Sequence, residues 1–196
     1  MINHDIFRIG GKIPHQADTP RKSFIQTVGV HRRIITDLPQ KLIHIEELSA
    51  RCINRLQRVG NCLGAVVYDD YAHNPEKLAA MWRTLADAYP KGVAVLWRPH
   101  GYGPLRMMLD ALAAVFAQMK RPQDELLLLP VYDAGGTADR SVNTDVLAAR
   151  IAGARMVSDL NEAETVLRKL ASAVGASVTA GARDPGLPVL ARRLAE

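Results

Sequence analysis

Residues 66–78 read VVYDDYAHNPEKL, an apolar run that ends in two adjacent carboxylates, Asp69 and Asp70. Tyr71, His73 and Asn74 follow at once, and Pro75 sits where a helix begins. An ionised carboxylate only accepts hydrogen bonds, so Asp70 suits hydroxyl or N–H groups. Two later loops are similarly polar: Pro99, His100, Gly101, Tyr102 and Gly103, then Tyr132, Asp133, Ala134, Gly135 and Gly136. Each piece also has a purely structural reading. Asp70 could hold turn N–H groups. His73 and Asn74 could cap the helix at Pro75, and Asn74 is expected to do so. His100 could be a surface histidine, and Gly135-Gly136 a turn. Trp82 and Trp97 are assigned to packing, and Arg183 and Asp184 could pair with each other. His73 and His100 do not make a metal set, because no H-x-x-x-H or C-x-x-C spacing accompanies them. A G-x-S-x-G nucleophile elbow is missing. A phosphate loop is missing too: Gly10-Gly11-Lys12-Ile13 lacks the upstream glycine and the Ser or Thr that would hold magnesium.

The elements that must position these groups alternate in type. Ala65–Tyr68 is a short apolar strand; Leu78, Met81, Trp82, Leu85 and Tyr89 then recur at helical spacing. Val93–Trp97 is a continuous apolar strand, followed by a helix through Leu105, Met108, Leu109, Leu112, Phe116 and Met119 that ends at Arg121-Pro122. Leu126–Leu129 is the next buried strand. Ser141 or Asn143 is placed to cap a helix through Ile151. Arg155–Val157 and Ser177–Ala180 are short strands around a long helix carrying Ala163, Val166, Leu167, Leu170 and Val174. Leu187, Leu190 and Leu194 share one face of a last helix. This alternation predicts a three-layer α/β fold, a mainly parallel Rossmann-like sheet with helices on both faces. Leu56–Val59 and Ala65–Tyr68 flank GNCLG and predict a hairpin, although Ile43–Leu56 could be a helix. In an open parallel sheet, ligands bind beyond the strands' carboxyl ends, so the three polar loops are expected on one edge.

Composition narrows the classes. The 196 residues are 48% hydrophobic and 23% charged, enough for a core in an ordinary globular chain. No apolar run approaches the roughly 20 residues of a membrane span, and the N-terminus does not read as a secretory signal. Cys52 and Cys62 are too few for a disulfide scaffold and are expected as free thiols, with a cytoplasmic setting the default. The net charge of +5 has two readings, a basic face that could meet nucleic acid or another anion, and scattered solvated charge, which is preferred. Aromatics, at 5%, do not interleave with basic residues as in a nucleic-acid stacking platform. No nucleic-acid or membrane partner is expected.

VYDDYAHNP closely resembles the motif that opens the C-terminal domain of the Mur ligases, nearest among them to the L-alanine-adding and murein-peptide-recycling branches. RPHGYGPLR resembles their P-H-x-Tyr/Phe loop, LLLLPVYDAGG their third strand and its loop, GARDPGLPVLARRL their closing strand, turn and helix, and NRLQRVG the strand that ends their central domain. The resemblance covers residues 52–196 and divides the chain into an N-terminal extension or central-domain remnant at 1–51 and a Mur ligase C-terminal-like domain at 52–196. It implies an ADP-forming ligase that joins an amino acid or peptide to a UDP-muramyl or related carboxylate through an acyl phosphate. ATP with Mg2+ would be bound mainly by a P-loop central domain. By the same resemblance Asp70 would bind the ATP ribose with Arg55, Tyr71 and Asn74 around the nucleotide. His73 would support that loop, and His100 would sit near the incoming amino acid, the two being the candidate catalytic residues. Arg98, Tyr102, Arg106, Asp133 and Gly136 are the substrate-binding candidates. The family loop carries arginines at the positions of Gly101 and Pro104, and commonly at Asn54, where this sequence does not. The expected role is the closing module of a peptidoglycan-precursor ligase, inactive alone. A non-catalytic nucleotide- or partner-binding protein with the same fold remains the alternative.

Overall fold

The computed structural model describes residues 56–133, 135, 137 and 139–196. Arg55, Cys52, Asn54, Gly136, the helix considered at 43–56 and the whole 1–51 segment lie outside the described residues. Strands β1 (Gln57–Cys62) and β2 (Ala65–Asp70) form the expected antiparallel hairpin. Its two-residue turn places Leu63 at φ 46° and Gly64 at φ 100°, the positive values that match the twist of paired strands.

From β2 onward the chain alternates helix and strand: α1 (Pro75–Ala88), β3 (Val93–Arg98), α2 (Tyr102–Met119), β4 (Glu125–Leu128), α3 (Thr144–Ala148), β5 (Ala154–Met156), α4 (Leu160–Leu170), β6 (Ala176–Gly181) and α5 (Gly186–Leu194). Helix starts follow local chemistry. Asn74 accepts Lys77 N–H at 3.0 Å with Pro75 opening α1; Asn143 accepts Val146 N–H at 3.2 Å; and Asp159 accepts Asn161 and Glu162 N–H. Helix α4 stops at Leu170, short of the expected Val174. Val174 keeps its core position from the turn that follows, where its N–H reaches the Leu170 carbonyl.

The sheet order is β1-β2-β6-β3-β4-β5. Strands β2, β6, β3, β4 and β5 are parallel, and only β1 runs against its neighbour. The strand last in sequence therefore lies in the middle, bonded to both β2 and β3. Strand β3 is buried through its first five residues, as a strand covered on both faces must be. On one face Trp82, Trp97 and Phe116 stack edge to face, with ring centroids 6.1 and 5.3 Å apart. On the other, Ala65, Val67, Ala94, Leu96 and Leu127 meet Ala163, Leu167, Leu187 and Leu190 of α4 and α5. These layers place the carboxyl ends of β2, β3, β4 and β6 on one edge.

Candidate site at the carboxyl edge of the sheet

Side chains alternate across a strand, so the adjacent carboxylates point to opposite faces. Asp69 looks towards α5 and accepts the Thr179 hydroxyl at 2.5 Å. Burial pushes its carboxyl above the ordinary range, and Thr179 and the Arg192 charge only partly offset this. Asp70 is 7% exposed and sits at the edge itself. One oxygen accepts Ala72 N–H and the other Leu56 N–H, each at 2.6 Å. The turn-holding reading of Asp70 is therefore realised.

The next residues form a row of rings. Tyr71 lies edge-on to His73 at 5.2 Å, and His73 to His100 at 5.0 Å. His73 Nδ1 is 2.8 Å from the Tyr71 carbonyl oxygen, which holds the first histidine against its own loop. Trp97 Nε1 donates to the Ala72 carbonyl at 3.3 Å, and Tyr132 N–H to the Pro99 carbonyl at 2.8 Å. All three polar loops are thus tied together on one edge, as the parallel-strand reading requires. Burial holds His100 below the ordinary imidazole value, and the nearby His73 and Arg183 charges push the same way. Gly101 adopts φ 155° and ψ 153° ahead of α2, a backbone closed to larger residues.

The expected substrate-binding side chains are engaged within the protein. Arg98 donates to Asp184 at 2.8 Å and to the Pro130 carbonyl at 3.1 Å, and its guanidinium lies 5.5 Å from the Tyr132 ring centre. This corrects the expected Arg183–Asp184 pair: Asp184 is taken by Arg98, because β3 and β6 are neighbours and Arg98 is registered with Gly181. Arg106 pairs with Asp139. Arg140 grips Asp133 at 2.8 and 2.9 Å and lies over the Tyr102 ring, 5.5 Å from its centre. The Arg140 guanidinium, with Gly135 N–H, holds the Asp133 carboxyl below its usual range. These pairs fasten the loop after β4 to the start of α2. Arg183 remains. It follows β6 at φ 69°, is exposed, and its side chain makes no hydrogen bond or ion pair among the described residues. Sequence reading missed it by giving it Asp184.

Among the described residues no group of three or more His, Cys, Asp or Glu could hold a metal ion. The described residues thus offer no clustered carboxylate set for Mg2+. They offer acceptors for hydroxyls at Asp70 and cation-forming groups for an anion at His73, His100 and Arg183. A cavity of about 350 Å3 lies beyond Arg98, lined by Ser158, Asp159, Leu160, Val189 and Arg193.

A mostly parallel sheet with helices on both faces and a polar loop cluster at its carboxyl edge defines an α/β domain of the open-sheet class. The chain belongs to the Mur ligase family: the model for "Mur ligase, glutamate ligase domain" matches residues 54–183. A UDP-N-acetylmuramate–L-alanine ligase from Desulfosudis oleivorans is 30% identical over 144 residues, covering 70% of this chain and 31% of the relative. The enzyme of that name from Syntrophobacter fumaroxidans is 33% identical over 135 residues, covering 65% and 28%. Among solved structures, a UDP-N-acetylmuramate-alanine ligase from Thermotoga maritima superposes with TM-score 0.51 at 24% identity, covering 86% of this chain and 35% of that one. A murein peptide ligase from Psychrobacter arcticus gives 0.52 at 16%, covering 72% and 29%. Those two structures speak for the fold. The chain spans about a third or less of the length of these curated relatives.

Proposed function

We propose that this chain is the C-terminal closing module of an ATP-dependent acid–amino-acid ligase acting on a UDP-muramyl or related carboxylate. A P-loop-bearing domain, in the same polypeptide or another, completes it. The observation that carries the reading is the ring row from Tyr71 to His100. It brings the YDDYAHNP and PHGY loops together on one edge in a chain of this family. In this reading Asp70 accepts ribose hydroxyls, and Tyr71 and Asn74 border the nucleotide, Asn74 also keeping its cap. His73 buttresses His100, which faces the incoming amine. ATP and Mg2+ sit chiefly on the completing domain, where phosphoryl transfer is a matter of positioning and charge stabilisation. A cytoplasmic setting fits ATP use, and among the described residues no helix is long and apolar enough to cross a membrane.

The test is reconstitution. The P-loop domain of a related ligase, supplied with this chain, ATP, UDP-N-acetylmuramate and an amino-acid panel, is expected to release phosphate only when all are present. His100→Ala should lower that rate by about 10²-fold or more, the low end for a lost acid–base or positioning group. Phosphate release indifferent to this chain overturns the proposal. The alternative, a binding protein that keeps the fold, draws on the internal pairing of Arg98, Arg106 and Asp133, and it would give nucleotide binding without ligation.

A further inference from the structure

Three cation-forming side chains meet at the edge from three different loops: His73 after β2, His100 after β3 and Arg183 after β6. The strand register explains why. Asp70 pairs with Ala180 and Arg98 with Gly181, so the residues just past these strands run side by side. The arginines around them each have a carboxylate: Arg98 has Asp184, Arg106 has Asp139 and Arg140 has Asp133. Arg183 has none among the described residues, and neither does His100. Burial and the two neighbouring charges hold His100 below its ordinary pKa, so the group is already short of a counter-charge. Arg183 also sits at φ 69°, a left-handed backbone unusual for a residue with a side chain. It stands at the corner between the centre strand and α5, where its guanidinium makes no hydrogen bond or ion pair among the described residues.

We propose that Arg183 is the anion anchor of this edge. It binds the free carboxylate of the incoming amino acid or peptide through its two-pronged donor face, with His100 alongside. This rests on the ligase reading above and deepens it, naming the residue that selects a substrate with a free acid. A guanidinium matches a carboxylate bidentately. A bound carboxylate also replaces the missing counter-charge, so it favours the protonated form of His100.

The experiment reads the His100 ring by proton NMR during pH titration of the 196-residue chain. The probes are a set of dipeptides, their C-terminal amides, and inorganic phosphate. The dipeptide acids should raise the His100 midpoint and the amides should not. Arg183→Gly should abolish the rise while leaving the chain folded and more heat-stable, since glycine tolerates the left-handed backbone. Arg183→Lys should keep a weakened rise. In the absence of any probe, Arg183→Gly should itself raise the His100 midpoint by removing a positive neighbour. A rise that survives Arg183→Gly overturns the proposal, as does equal response to acids and amides, response to phosphate only, or no response. All of these readouts use the chain alone. A failed reconstitution of ligation with an intact Arg183-dependent shift would count against the ligase reading, and the reverse against the anchor.

Discussion

Single aspartates show how burial and partners divide one residue type into different tasks. Asp124 is 1% exposed and accepts Trp82 Nε1 and Val93 N–H at 2.9 Å. It also binds Arg121 through the backbone and the guanidinium. Burial alone would raise its carboxyl pKa. Arg121, Trp82 and two backbone N–H groups reverse that and hold it below 3.8. Its contribution to stability is therefore present above the ordinary carboxylate range and is lost as pH falls through the depressed folded value. Asp124→Ala should cost about 3–5 kcal/mol in urea unfolding at neutral pH, since it leaves Arg121 partly buried without its partner. The gap from the parent should narrow in acid. Asp69 behaves oppositely. Its pKa is raised by burial, so at neutral pH the folded chain holds an unfavourable charge that the unfolded chain does not penalise. Asp69→Asn should raise the melting temperature at neutral pH, with the gain shrinking as pH falls through the raised folded value and gone below 3.8, where both states carry the proton. Asp70 differs again. Its bond from Ala72 N–H is the local turn contact that VVYDDYAHNP suggests, whereas the bond from Leu56 could not be foreseen there, because that donor is 14 residues away.

The elements themselves were largely legible. Leu78, Met81, Trp82 and Leu85 recur at helical spacing, and the run Val93–Trp97 reads as a strand buried on both faces, because local periodicity records which face is covered. Strand order left no such record. Ala176–Gly181 reads like any other parallel strand, and nothing local says that it lies between β2 and β3. That insertion is what puts Arg98 beside Asp184, 86 residues away, and frees Arg183. Val174 continued a helical spacing although it faces the core from a turn, so the end of α4 was overrun. The starts of β3 and β6 meet at Gly92, whose carbonyl accepts Gly175 N–H at 2.9 Å. Gly92 has φ 126°, and an added Cβ would lie 2.4 Å from the Gln123 carbonyl oxygen. Gly92→Ala should therefore cost at least the ~1–3 kcal/mol of a strained backbone position, measured by chemical denaturation. A change within ±0.5 kcal/mol, the range of ordinary surface substitutions, would show that this turn can shift freely.

At the scale of the molecule, the proposed role asks Asp70 and its neighbours to meet a nucleotide whose phosphates are held by a P-loop domain. A charge-assisted hydrogen bond contributes about 1.5–3 kcal/mol, and micromolar binding requires ~8 kcal/mol. The central claim is that this edge closes over a nucleotide held elsewhere. Isothermal calorimetry with ATP tests it most directly, on the chain alone, on the chain with the P-loop domain of a related ligase, and on the pair carrying Asp70→Asn. The account predicts no micromolar binding by the chain alone and micromolar or tighter binding by the pair. Asp70→Asn should weaken that binding about 10- to 100-fold, one charge-assisted hydrogen bond's worth, with the melting temperature recorded alongside to separate this from loss of the Leu56 and Ala72 bonds. Micromolar binding by the chain alone, or an affinity of the pair untouched by a folded Asp70→Asn chain, would contradict it.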